Sequence, residues 1–159
     1  MAADPVRGKY YEELEVGDRL ISSRRTVSEG TIDLFAGATG DFSEVHTDAE
    51  GMKETPFGER IGHGLLALSV MQGLMWQTAY NVGTVVATLG WDGVRFTAPL
   101  RIGDTVQAQW TIRDKRESRS RPGFGIVVED CRLVNQRKET VLTGSHVMLV
   151  CRRPDGSTP

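Results

Sequence analysis

The chain has 159 residues, a formal net charge of −2 and 25% charged residues. That length suits one domain with a buried core and excludes two large ones. The near-balanced charge speaks against a nucleic-acid-binding surface, and the N-terminal "MAADPVRGKYYEE" lacks the apolar run of a secretory signal, so a cytoplasmic protein is expected.

After the polar lead-in, Gly17-Asp18 predicts a turn into a short strand. A helix over "TIDLFAGA" follows, capped by Ser28 or Thr31, with Ile32, Leu34 and Phe35 facing inward. Gly40 has the place of a left-handed C-terminal cap, so Asp41 emerges where the chain turns. "TDAEGMKET" predicts a helical turn capped by Thr47 or Asp48, and "TPFGER" a Pro-Gly loop. The segment "GHGLLALSVMQGLMWQTAY" is apolar on nearly every face and predicts a helix buried all round. It is shorter than the roughly 20 apolar residues of a membrane span, so no membrane anchor is expected.

The second half, "GTVVATLGWDGVRFTAPL", "GDTVQAQWTIRDKRES", "FGIVVEDCRLVNQ" and "ETVLTGSHVMLVCRR", sets β-branched and aromatic residues between turn residues. Four or five antiparallel strands curling around one apolar helix make an α+β fold. A single domain, 1–159, is expected, with its core over about 14–152 and a frayed polar tail at 153–159. Cys131 and Cys151 lie in apolar segments, neither with a neighbouring Cys or His at metal-ligand spacing, and read as buried, reduced thiols. The run Arg113 to Gly123 reads as a solvated hairpin, and His146 as structural.

Two segments carry chemistry. In "GATGDFSEVHTD" a carboxylate, Asp41, and an imidazole, His46, stand five residues apart in a loop that can bring them onto one water, as a general acid/base pair requires. The same residues also fit a turn cap and a loop histidine bonded to backbone. In "GERIGHGLL" the small residues Gly62 and Gly64 open the start of the apolar helix, whose first N–H groups are unpaired and suit a carbonyl oxygen gaining charge; tight packing alone would also explain them. Asp41, His46, Asp48 and His63 are metal-ligating types, but their spacing matches no compact ligand motif and no metal is expected.

In this order and spacing, Gly40-Asp41 with His46, the Gly62-His63-Gly64 helix start, Ser69 and the later "FTAPLRIGDTV" resemble the MaoC-like (R)-specific enoyl-CoA hydratases of the hot-dog superfamily, over about Val27 to Val150. The resemblance implies a sheet wrapped around a helix from about Gly64 to Ala79. It also implies a homodimer or higher homo-oligomer with one continuous sheet, and acyl-CoA sites near the interface. The implied reaction is syn hydration of a trans-2-enoyl-CoA, with Asp41 and His46 catalytic, the Gly64 N–H as oxyanion donor, and Ser43, His63 and Ser69 lining or supporting the pocket. Coenzyme A would enter as part of the substrate, with no separate cofactor.

Where the family has Asn-Pro, this chain has Ser43-Glu44. The shorter Ser43 is expected to reach the carboxylate only through a water, and Glu44 to face solvent. Trp76, Met75, Met71 and the loop from Ala49 to Phe57 are candidates for the tunnel wall. A thioesterase of the same fold is the first alternative, but Leu65 to Tyr80 contains no Asp or Glu to attack a thioester. A non-catalytic acyl-binding or hetero-oligomer subunit is the second.

Overall fold

A computed structural model describes residues 7–154. Strand β1 (Arg19–Thr26) follows the turn at Gly17. Helix α1 (Glu29–Thr39) starts at Ser28, whose side chain accepts from the Thr31 N–H, and stops at Gly40, whose φ of 76° is open to glycine at little cost. The one-turn helix α2 (Glu44–Thr47) and a 3₁₀ turn at Gly51–Glu54 lead to β2 (Ile61–Gly62). Helix α3 (Gly64–Trp76) is followed by β3 (Val85–Phe96), β4 (Leu100–Arg101), β5 (Thr105–Glu117), β6 (Phe124–Val134) and β7 (Thr140–Cys151).

Five strands form one antiparallel sheet in the order β1-β5-β6-β7-β3, and β2 pairs separately with β4. The sheet wraps α3, which is the hot-dog arrangement. Strict alternation decides the face: Val106, Ala108, Trp110 and Ile112 of β5 point inward and are buried, while the residues between them are partly exposed. They meet Leu66, Ala67, Val70, Met71, Leu74 and Met75 of α3 in one core. Among the described residues no helix is long and apolar enough to cross a membrane.

Three expectations need correction. Leu34 is 76% exposed and Ala36 takes the inward place beside Ile32, because α1 packs through a narrower stripe than its composition suggests. Helix α3 ends at Trp76 rather than Ala79: the Thr78 N–H and hydroxyl both donate to the Met75 carbonyl, and Ala79 turns to φ 59°. Nor is α3 buried all round, since Leu65 is 62% and Trp76 50% exposed, on one stripe with exposed Ser69. Among the described residues nothing covers that stripe.

At the C-terminus, Arg152 and Arg153 are tied down, to Glu12 and Glu13. The expected fraying therefore does not begin at residue 153, and 155–159 lie outside the described residues. Cys131 is buried and Cys151 only partly so; both are free thiols. The Arg113–Gly123 run forms the end of the β5-β6 hairpin, with Arg119 and Arg121 exposed.

One polar network crosses the core. Glu129, 0% exposed, accepts from the Tyr80 hydroxyl and, at 2.9 Å, from His146 Nδ1. The far nitrogen of His146, Nε2, bonds the Thr88 hydroxyl at 2.9 Å, and Trp91 stacks on the ring at 4.7 Å. Burial first, then the Glu129 charge, pushes both the Tyr80 phenol and the Cys131 thiol well above their ordinary ranges. His146 is therefore structural, as its place in the last strand suggested.

Candidate active site

Asp41, His46 and His63 converge although they stand on three different elements. Each offers a ligand-type atom, and the three atoms lie within 4.8 Å of one another. Gly40 turns the chain out of α1 and delivers Asp41; α2 carries His46; His63 is the N-cap residue of α3.

Backbone carbonyls set the two rings. His46 Nδ1 lies 2.8 Å from the Ile61 carbonyl oxygen, which can only accept, so Nδ1 holds the proton and the neutral ring keeps its lone pair at Nε2. His63 Nε2 donates to the Asp41 carbonyl at 2.9 Å, and its Nδ1 is buried without a partner. The two imidazoles stack, with centroids 3.7 Å apart and planes at 29°, and Phe35 packs against His63 at 5.0 Å. His63 thus fixes both catalytic candidates, one through backbone and one through its ring face.

The cluster joins two imidazoles and one carboxylate, all ligand-type groups. Asp48 stays outside the cluster: its Oδ1 accepts from the Glu50 and Gly51 N–H groups and caps the 3₁₀ turn.

Ser43 reaches Asp41 directly, against the expectation of an intervening water. Its hydroxyl donates to Asp41 Oδ1 at 2.5 Å and its N–H donates to the same oxygen at 3.3 Å. The closeness comes from the tight turn between Gly40 and α2, which brings residue i+2 over the carboxylate. These two donors, the hydroxyl first, hold the exposed Asp41 carboxyl below the usual carboxylate range. Glu44 is exposed, as expected, and takes the first position of α2, where a carboxylate is favoured.

Ser43→Ala is expected to let the Asp41 carboxyl rise toward its ordinary value. If Asp41 works as the carboxylate, the acid limb of the rate profile then moves to higher pH, with the plateau little changed. A profile superimposable on the parent's would show that the Ser43 bond does not tune the reacting group.

Beside the pair lies a cavity of about 360 Å³, within the usual range of small-molecule sites. His46, Phe57, Gly64, Ala67, Phe96 and Val141 are among its lining. Gly64 lets Phe96 pack close to the start of α3: a Cβ on it would lie 2.8 Å from Phe96 Cζ and push that ring aside. The Gly64 N–H, on the first helical residue, has no acceptor within the helix. Of the expected wall residues, Phe57 lines the cavity, whereas Met71 and Met75 are core and Trp76 is outside it. Ser69 does not line it either. Its hydroxyl bonds the Leu65 carbonyl at 2.8 Å on the exposed stripe of α3, so in the single chain it supports neither histidine.

A MaoC like domain family model matches residues 14–132. The chain belongs to the MaoC-like domain family. Among curated relatives, this MaoC-like chain is 38% identical over 107 residues to Protein MaoC of Klebsiella aerogenes, covering 67% of itself but 31% of that protein. It is 32% identical over 112 residues to the (R)-specific enoyl-CoA hydratase of Rhodospirillum rubrum, covering 70% of itself and 75% of that enzyme. Among solved structures, the monoamine oxidase regulatory protein from Archaeoglobus fulgius superimposes with a TM-score of 0.86 at 35% identity, over 93% of this chain and 97% of that one.

Sequence reasoning missed α2, the stacking of the two histidines, Phe96 and Val141. Ser43 followed by Glu44 was the available signal for α2, since a hydroxyl residue before an acidic first turn marks a helix start. Phe96 opens the "FTAPLRIGDTV" segment quoted for the resemblance but was given no role there, and nothing local marks Val141, which reaches the cavity from β7.

Proposed function

We propose that this MaoC-like domain adds water across a trans-2-enoyl-CoA to give the (R)-3-hydroxyacyl-CoA, and catalyses the reverse dehydration. The observation that carries this is the convergence of an ionised Asp41 carboxylate and the free Nε2 of His46 beside an apolar cavity that opens at Gly64. Both groups accept hydrogen bonds, so together they grip one water and orient its oxygen. The oxygen bonds C3, the displaced electron pair moves to the thioester as an enolate, and the Gly64 N–H meets the oxygen that gains the charge. The proton taken from water passes from the pair to C2 on the same face. One water is consumed, no electrons are exchanged, and coenzyme A is the only large group carried.

The unit that does this is a homodimer joined along β3. That strand is a 12-residue edge of the sheet and carries exposed Val86, Leu89 and Phe96. A long apolar edge of this kind is normally covered. Light scattering is expected to give twice the chain mass; a monomer would remove this part of the reading.

The deciding assay follows loss of the conjugated enoyl-thioester absorbance with short and medium trans-2-enoyl-CoAs, with chiral analysis of the product. Formation of the (R)-3-hydroxy thioester supports the reading. Release of free thiol without hydration would replace it with thioester hydrolysis.

A further inference from the structure

Arg60 is held against the site, bonded to the backbone of His46, and its surroundings define a task. Its side chain is only 11% exposed. One guanidinium nitrogen bonds Asp33 Oδ1 at 3.3 Å and the backbone carbonyl of His46 at 3.4 Å, and the other pairs with Glu29. Glu29 and Asp33 lie one turn apart on α1, so a single fork spans α1 and α2. The carbonyl it meets belongs to a one-turn helix, where carbonyls lack intrahelical donors. The next residue, Ile61, supplies the carbonyl that sets the His46 tautomer. Consecutive residues thus grip His46 twice, once by its backbone and once by its ring.

Resting on the hydratase reading above, we propose that Arg60 is a positioning residue: it locks α2 to α1 so that His46 presents its Nε2 lone pair to the substrate water. It is not an anion-binding residue of that site. Two carboxylates already neutralise it, and its remaining exposure is too small for it to meet a phosphate. A lysine cannot replace the function in full, because one ammonium cannot span both carboxylates and the His46 carbonyl at once.

The test compares the parent with Arg60→Met, which keeps the apolar stem, and with Arg60→Lys. Because misplacing a reacting group by about an ångström costs on the order of a hundredfold, Arg60→Met is expected to lower kcat about ten- to a hundredfold while KM changes about twofold or less. Arg60→Lys should fall between the two. Nitrogen NMR of the His46 ring supplies the readout that folding alone does not move. The parent should show a protonated Nδ1 and an unprotonated Nε2, and Arg60→Met should move both signals toward a mixture of tautomers.

Wild-type kcat in Arg60→Met would overturn the proposal. So would a lower kcat with a lower melting temperature and unmoved ring signals, which would make Arg60 a packing residue only. Should the parent itself fail to hydrate enoyl-CoA, the hydratase reading falls on its own. The ring signals then decide alone, supporting the positioning role if they move in Arg60→Met and overturning it if they do not.

Discussion

Replacement of Asp41 by Asn is expected to reduce kcat/KM for enoyl-CoA hydration by about 10²- to 10⁴-fold, the usual contribution of a positioned acid/base. The variant is chosen for what it leaves alone. Asn has nearly the same volume, its oxygen still accepts from the Ser43 hydroxyl, and the Asp41 carbonyl still accepts from His63. The side chain is exposed, so the fold loses little. What disappears is the charge that, in the proposed reaction, orients the water and the group that shares its proton. Replacing His46 would be less informative, because its ring also packs on His63 and donates to Ile61. An Asp41→Asn protein that hydrates at the parent rate would remove Asp41 from the chemistry and with it the mechanism proposed above.

The second large effect is on stability, far from the site. His146→Ala is expected to destabilise the fold by about 3–5 kcal/mol, because it leaves the carboxylate of Glu129 buried with one fewer donor. For a chain of this size each kcal/mol lowers the melting temperature by about 2–4 °C, so a fall on the order of 10 °C is expected. The lost ring also leaves a void beside Trp91 and frees the Thr88 hydroxyl. The combined change His146→Leu, Glu129→Met and Tyr80→Phe should recover most of the loss, since apolar residues of similar volume need no partners and no buried hydroxyl loses its acceptor. A His146→Ala protein melting with the parent would mean that water or a shifted Tyr80 satisfies Glu129, and that the network contributes little.

These two experiments separate features that a sequence treats alike. Asp41 and Glu129 are both acids beside a histidine in the folded chain, yet one is exposed next to an apolar cavity and the other is sealed between β6 and β7. Only the first can meet a substrate. The distance of each to its histidine along the chain, five residues against seventeen, carries no hint of that difference.

Much was nonetheless legible in one dimension, and for identifiable reasons. Ser28 and Gly40 bound α1 because capping and left-handed turns depend on local chemistry. The strands β3 and β5 to β7 were legible from β-branched and aromatic residues set between turn residues, which need no knowledge of the partner strand. Asp41 and His46 could be paired as candidates because both sit in one short loop, and Gly64 because it opens an apolar helix. Those features carried the α+β reading, and the Gly-Asp and His-Gly spacing carried the resemblance that implied a hot-dog fold and the residues at which to look.

Everything that depends on contacts between distant segments had to wait for the fold. The tautomer of His46 is decided by the Ile61 carbonyl, fifteen residues on, and the stack with His63 by α3 meeting α2. Arg60 acquires its role from two carboxylates on α1, twenty-seven and thirty-one residues earlier. Leu34 and Trp76 looked inward by composition, but hydrophobicity states only that a side chain gains by burial, not that its own chain has a surface to offer. The sequence by itself determined which groups and which elements exist; packing decided which face each element buries, and therefore which polar groups meet.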